Sequence, residues 1–206
     1  ITRGSKFAPF IKMPNGMGGY IDFTGPRRPT YVYGLRFERG RGSEHSPELG
    51  WGTKSRGYLK YMPTDTLSFS LTYQHQRENE WLNWYGDNLL ATFKRKQRTS
   101  VVEMEWFRNN IHELRIKAQM VAFTGREPQS FLGDLSGNLN PEDIYIPPIT
   151  ISELAFQVRY RYEIMPLSYL YLVYSKGGRI SLQDEEDDLF SPVSYTHLRA
   201  HETPVN

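Results

Sequence analysis

Charged side chains at every second position are the first feature of this chain that could do chemistry. They alternate with apolar residues in three stretches, so the charges of each stretch share one face of an extended strand. Such a face could line a pore that selects solutes by charge, or seat a plug domain. The simpler alternative is a wet interior wall whose opposite charges pair across adjacent strands. The residues concerned are Glu103, Glu105, Glu113, Arg115, Lys117, Arg159, Arg161 and Glu163.

Three aromatic residues close together form a second candidate site. Trp81, Trp84 and Tyr85 lie in a segment whose polar neighbours predict a long outer loop. Rings with an apolar body and a polar edge can stack on sugars. They can equally pack a loop against its neighbours. A saccharide is therefore the candidate ligand for this segment.

An assembled catalytic set is absent from the sequence. The histidines weighed as bases, His45, His75 and His112, accompany neither a Gly-x-Ser-x-Gly elbow nor a His-Glu-x-x-His motif. Residues 16–19 are glycine-rich but lack the Lys-Ser/Thr of a phosphate loop. The acidic run 184–188 lacks the alternating ligands and turn glycine of a calcium loop. We expect no catalytic residue, no cofactor and no metal site.

The composition narrows the class of protein. The formal net charge of +2 over 206 residues argues against a nucleic-acid partner, and the absence of cysteine excludes a disulfide scaffold. Mean hydropathy is −0.59, yet aromatics reach 14%. No run approaches the roughly 18 apolar residues of a membrane helix. A polar average with abundant tyrosine is typical of a barrel with a wet lumen and aromatic girdles, although carbohydrate-binding β-sandwiches share it.

Period-two alternation recurs along the chain and predicts the strands. In Thr66–Arg77 the odd positions carry Leu67, Phe69, Leu71 and Tyr73. Similar rows occupy Pro29–Arg39, Ile111–Phe123 and Thr150–Glu163, each near the roughly 9–11 residues with which a tilted strand crosses a bilayer. No comparable stretch keeps a helical period. The sequence predicts an all-β, antiparallel up-and-down meander.

Short and long connections are expected to alternate between these strands. Tight turns are predicted near Pro26, Pro63, Asn109 and Pro166, and long polar loops at Gly40–Glu48, Glu78–Asp87, Thr124–Pro148 and after Lys176. Outer-membrane barrels alternate in this way, which favours about eight strands of a larger, truncated barrel in contact with outer-membrane lipid.

This alternation requires Asn88–Phe107 to be one very long strand. Val102, Met104 and Trp106 would then face lipid near its end. A hairpin turn at Gln97–Thr99 is the competing interpretation, and it would break the alternation.

The last segment differs in character from the rest of the chain. Residues 193–206 show neither strand alternation nor a helical face. We expect residues 1–192 to form the partial outer-membrane β-barrel and residues 193–206 to be a non-native tail, which makes few contacts and completes no sheet.

One stretch carries a family resemblance. Residues 153–163 (ELAFQVRYRYE), followed by Pro166-Leu167-Ser168, residues 170–175 (LYLVYS) and Gly177-Gly178, resemble a bacterial family of exported proteins, as do residues 105–107 and 112–117. Its members carry an N-terminal domain similar to family-9 carbohydrate-binding modules and a C-terminal outer-membrane β-barrel. The likeness covers roughly residues 103–178 and brings no catalytic residues with it.

The resemblance implies that the chain is a barrel segment without its N-terminal, carbohydrate-binding-like domain, located in the Gram-negative outer membrane. The function it implies is binding or uptake of an extracellular solute, with a saccharide as the candidate. The alternative is a structural barrel that anchors and displays the missing domain. An outer-membrane hydrolase and a soluble β-sandwich are the less favoured alternatives.

Overall fold

The computed structural model describes residues 11–13, 15–41, 49–109 and 111–182. Within them the chain forms nine strands and no helix. The strands are β1 (Met17–Thr24), β2 (Tyr31–Arg41), β3 (Gly52–Thr64), β4 (Leu67–Gly86), β5 (Leu89–Arg108), β6 (His112–Gly133), β7 (Leu139–Glu142), β8 (Ile149–Met165) and β9 (Ser168–Leu182).

All nine strands belong to one antiparallel sheet. Its order is β1-β2-β3-β4-β5-β6-β8-β9, and the short β7 pairs with the far end of β6. Sequential neighbours are therefore paired, which confirms the predicted all-β antiparallel meander. The order ends at β1 and β9, and no pairing between these two strands closes the sheet in the described part of the chain.

Four tight reversals lie at one end of the sheet, here called the short-turn end. They occupy residues 25–30, 65–66, 109–111 and 166–167, as the sequence predicts for Pro26, Asn109 and Pro166. The second turn, predicted near Pro63, comes slightly later than expected, because Pro63 remains inside β3 where the register between Tyr61 and Thr64 is irregular. Proline has no N–H for the ladder, so an irregularity accommodates it.

At the opposite end of the sheet, two of the predicted loops are wrong in their extent. Residues 78–86 are not a loop, because β4 continues to Gly86 and reverses at Asp87–Asn88. The loop predicted at 124–148 begins only after Gly133. Backbone pairing extends both strands: β5 pairs with residues 81–86 of β4, and β5 and β7 pair with the end of β6. Such pairing overrides the local sequence pattern.

The long strand predicted at Asn88–Phe107 is confirmed as β5. Its 20 residues extend over roughly 66 Å at the usual rise. The competing hairpin at Gln97–Thr99 is wrong, since Gln97 pairs with Gln76 on one side and Phe123 on the other.

The two faces of the sheet differ in chemistry. Phe69 of β4 leads through Met104 and Ile116 to Val158 of β8, so the apolar rows of β4 and β8 share one face. We call it the apolar face, and the side that carries the alternating charges the polar face. Many large hydrophobic residues of the apolar face are exposed, up to 74% for Ile21, whereas Glu78 and Glu113 of the polar face are buried.

A small hydrophobic core lies on the polar face, away from the short-turn end. Ala91 and Phe93 of β5 are covered by Ile146, with Trp81 and Ile149 packed beside them. Residues 193–206 and 184–188, for which the sequence predicts a non-native tail and a solvated acidic loop, lie outside the described residues.

Candidate functional site

The polar face brings the predicted charges of β5, β6 and β8 together. The register places Glu103 opposite Lys117, and Glu105 opposite Arg115. Glu113 lies opposite Arg161 in the next pair of strands. Each of these cross-strand pairs is complementary in charge, which is the arrangement that stabilises neighbouring strands.

Two carboxylates of β5 connect this strand to its neighbours on both sides. Glu103 Oε1 lies 2.8 Å from Lys117 Nζ, and its second oxygen accepts a hydrogen bond from Ser70 at 3.3 Å. Glu105 lies 3.6 Å from Arg115 Nε and 3.8 Å from Lys60 Nζ. Sequence reasoning missed Lys60 and Ser70, although the period-two rows of β3 and β4 place them on this face.

Glu113 lies at the centre of these polar-face charges, here called the charged wall. Its side chain is only 4% exposed and forms an ion pair with Arg115 of its own strand. From β8, Arg161 Nε approaches Glu113 Oε2 at 3.0 Å, and Arg159 lies 3.8 Å from Oε1. Burying a carboxylate is costly unless it is paired, and three guanidinium groups provide that compensation.

Beyond Glu113, aromatic rings of β9 hold the arginines of β8. The guanidinium carbon of Arg161 lies 4.9 Å from the ring centre of Tyr169, and that of Arg159 lies 5.8 Å from Tyr171. Both distances suit cation–π attraction. Glu163, the remaining predicted residue, lies at the short-turn end of the same row, opposite Tyr169.

A second buried ion pair, which sequence reasoning missed, lies further from the short-turn end. Arg95 donates to Glu78 at 2.8 Å, and Glu78 is buried. The same guanidinium lies over Trp81 at 5.1 Å and over Phe123 at 5.3 Å. The signal was available, because Arg95 has the parity of Glu103 and Glu105 on β5.

The three candidate sugar-stacking residues lie in β4 rather than in a loop, which corrects their predicted location. Trp81 packs edge-on against Phe123, with ring centres 5.4 Å apart. Trp84 is exposed, and its indole N–H donates to the carbonyl of Asp87 at 3.1 Å. Tyr85 is exposed and lies 6.2 Å from Phe93. Trp84 and Tyr85 therefore keep ring surface available for a ligand, whereas Trp81 is committed to packing.

The connection from β6 to β8 folds back over the polar face. The Oγ of Ser130 donates to the carbonyl of Glu142 and accepts from the N–H of Ile144, which ties this segment to β6. Ile146 then lies buried over Ala91 and Phe93. The connection narrows the space above the polar face at this end.

An acidic turn precedes that segment. The Oδ1 of Asp134 accepts backbone hydrogen bonds from Ser136 and Asn138, both at 2.8 Å. Hydrogen bonds from the backbone and side chain of Asn138 are the largest causes that lower the pKa of Asp134. The carboxylate form therefore stabilises the turn.

Histidines and metal-binding groups add little chemistry. His112 lies on the apolar face, with its ring stacked near Tyr160 and Tyr162. Among the described residues, no group of His, Cys, Asp or Glu is arranged to hold a metal ion. The polar face can thus attract, pair with and orient charged groups.

Neither a membrane-spanning helix in its described part nor a match among known proteins identifies the chain. The described residues contain no helix long and apolar enough to cross a membrane. No family model, no curated protein and no solved structure matches this chain.

Proposed function

We propose that this chain is a membrane-spanning segment of an outer-membrane β-barrel that binds or takes up an extracellular solute. In line with the family resemblance, the proposed barrel accompanies a carbohydrate-binding-like domain, and a saccharide is the candidate solute. It rests first on how the sheet distributes its apolar residues.

The exposed apolar face is the observation that carries the proposal. Soluble monomers rarely expose an apolar patch larger than a few hundred Å². Besides Met17 and Trp84, sixteen large hydrophobic side chains of the described strands are exposed on one face of the sheet. They are Ile21, Phe23, Tyr31, Leu35, Phe37, Leu59, Tyr61, Phe69, Leu71, Tyr73, Val102, Leu154, Phe156, Leu170, Leu172 and Tyr174. Lipid is a solvent that favours such a face.

The stagger between strands supports a tilted, barrel-like arrangement. The row of paired residues through Thr24, the last residue of β1, passes through six strands and meets β9 at Gly177. Gly177 lies nine residues after Ser168, where β9 begins. The short-turn end therefore shifts by nine residues over seven strand steps.

This shift converts directly into a tilt. A rise of about 3.3 Å per residue and a spacing of about 4.8 Å between strands give an inclination of about 40°. Strands of outer-membrane barrels are tilted by about 35–45°. If all short turns lie at one membrane surface, the observed stagger is the one that such a barrel requires.

The outer edges of β1 and β9, which have no partner strand among the described residues, also favour a larger assembly. An open edge in lipid leaves N–H and C=O groups unsatisfied, and closure with further strands removes that cost. Eight strands in one continuous order are then part of the wall of a wider barrel.

The polar face suggests how a solute would be handled. Around Glu103, Glu105 and Glu113 the ion pairs involve five cationic side chains, so the wall has a local excess of positive charge. Such a wall favours anionic or strongly hydrogen-bonding solutes. Tyr85, which lies near Phe93, extends this surface with a ring face, whereas Trp84 pairs with Leu90 on the opposite face of the sheet.

A specific observation favours the alternative of a structural, anchoring barrel. The segment with Ile146 covers part of the polar face, and the wall's carboxylates are already paired. Planar-bilayer recordings separate the two roles. Uptake predicts a conductance that changes when Lys117→Gln alters the wall, whereas anchoring predicts no conductance.

Single-tryptophan variants test the membrane proposal itself. One variant keeps Trp106, on the apolar face opposite Leu67, and the matched control keeps Trp81, which packs on the polar face. The other three tryptophans of each variant become phenylalanine. Both are folded into phosphatidylcholine vesicles with brominated acyl chains.

We expect bromine to quench Trp106 strongly and Trp81 weakly, because only the apolar face contacts lipid. Equal quenching of both, or quenching of neither, would refute the membrane assignment and favour a soluble sheet protein.

A further inference from the structure

A belt of basic residues crosses the apolar face on the side away from the short-turn end. Its members lie on β2, β4, β5 and β6, where the apolar rows that start at the short-turn end stop. Arg39 follows Phe37 by two positions, and Arg77 follows Tyr73 by four. We call this set the outer basic belt: Arg39, Arg41, Arg77, Lys94, Lys96, Arg98 and Arg126.

Cross-strand pairing in the belt sets like charges against each other. Arg77 lies directly opposite Lys96, and Lys94 lies directly opposite Arg126. Like charges in directly opposed positions destabilise a sheet.

Like-charged neighbours of the polar face have a shared counter-charge. Arg115 lies directly opposite Arg159, and both form ion pairs with Glu113.

Acidic residues of the described part of the chain lie near some members of the belt. Glu127 forms an ion pair with Lys94. Glu80 lies at the margin, beside Gly50. Within the described residues, neither Arg77 nor Lys96 has an acidic partner at ion-pair distance, and both are exposed.

The position of the belt indicates what kind of anion it meets. It borders the exposed apolar side chains on the same face, so a ligand there would combine acyl chains with an anionic headgroup. Long basic side chains can lay their methylene stems along apolar surface and direct their charge to a headgroup. Barrels place their short turns in the periplasm, which puts the belt at the outer leaflet.

We propose that the outer basic belt binds the phosphate groups of lipid A, the phosphorylated glycolipid of that leaflet. This inference rests on the proposed membrane location. The phosphates supply a counter-charge that no described residue gives the opposed pair Arg77 and Lys96, while the acyl chains cover the apolar face below it.

The test uses the whole chain folded in neutral dodecyl-maltoside micelles and titrated with lipid A. The belt variant is R77Q/K96Q/R98Q. The control R27Q/R28Q/R108Q removes the same charge at the short-turn end. Dephosphorylated lipid A and inorganic phosphate are the comparison ligands, and native mass spectrometry measures the bound fraction.

We expect lipid A to bind the parent chain and the control variant alike. Each basic residue near an anionic membrane surface contributes about 1 kcal/mol, or about fivefold, so the belt variant should bind on the order of 100-fold more weakly. Removal of the phosphates from lipid A should weaken binding to the parent chain to a similar extent.

Three results would overturn the inference: equal binding by the belt and control variants, indifference to the lipid's phosphates, or full competition by inorganic phosphate. None of them affects the membrane assignment, which depends on the bromine quenching of Trp106. Loss of that quenching would instead remove both proposals together.

Discussion

Replacing Glu113 by glutamine is the sharpest perturbation of the polar face. The substitution keeps the size of the side chain and removes its charge from the centre of three arginines. Arg115, Arg159 and Arg161 would then repel one another around a neutral amide. Because Glu113 is only 3% exposed, water can replace its charge only poorly.

The expected cost follows from burial on both sides of the pairs. Removing one partner of a fully buried ion pair costs about 3–5 kcal/mol. The arginine side chains are 27–46% exposed, so water screens the charge left behind. We discount the figure by about half and expect E113Q to lower the free energy of unfolding by about 2 kcal/mol.

Glu153→Gln is the matched control on the neighbouring strand. Glu153 lies 3.3 Å from Arg179, with side chains 48% and 60% exposed. An exposed pair contributes at most about 1 kcal/mol, so E153Q should change stability by less than about 0.5 kcal/mol. Urea titration of the chain folded in detergent, followed by tryptophan fluorescence, measures both. Indistinguishable urea midpoints for E113Q and E153Q would refute the central role of Glu113.

Three further predictions concern the chain as a whole and its β6–β8 connection. The isolated 206-residue chain should aggregate or require detergent, because its apolar face is exposed; a sharp monomer peak in detergent-free gel filtration, with cooperative unfolding, would contradict this. Ile146→Asp should release residues 143–148 and speed their hydrogen exchange, because Ile146 is buried. The control Ile144→Asp, at an exposed position, should leave the exchange unchanged. Equal exchange rates in both variants would argue against packing by Ile146. The turn at Asp134 should be stable above the ordinary aspartate pKa of 3.8 and loosen as the pH falls through the lower pKa of the folded state, because the carboxylate accepts the N–H groups of residues 136 and 138. Amide exchange should show this pH dependence, and D134N should abolish it. Amide exchange of the turn that does not change with pH would contradict the prediction.

Strand positions could be predicted from single stretches of sequence, because alternation is a local property. Leu67, Phe69 and Leu71 identify β4 and its apolar face without any knowledge of neighbouring strands. The extension of β4 beyond Glu78 could not be predicted in the same way. Its residues mix polar and aromatic side chains without a period of two, and they become strand because β5 supplies backbone partners. The local sequence around Trp81 therefore predicts a loop where the sheet forms a strand.

The ion pairs of the charged wall depend on strand register and not only on the local sequence pattern. Parity alone puts Glu103, Glu105, Arg115 and Lys117 on one face, but it does not say which charges meet. A register shifted by two residues would set Glu105 against Lys117 and leave Glu103 facing Gln119, with the same residues still on the polar face. The short reversal at residues 109–111 selects the observed register, in which both glutamates find a cation. The turn and the charge pattern therefore specify the same alignment. Lengthening this turn by two residues should destabilise the β5–β6 pairing even though every strand residue remains the same.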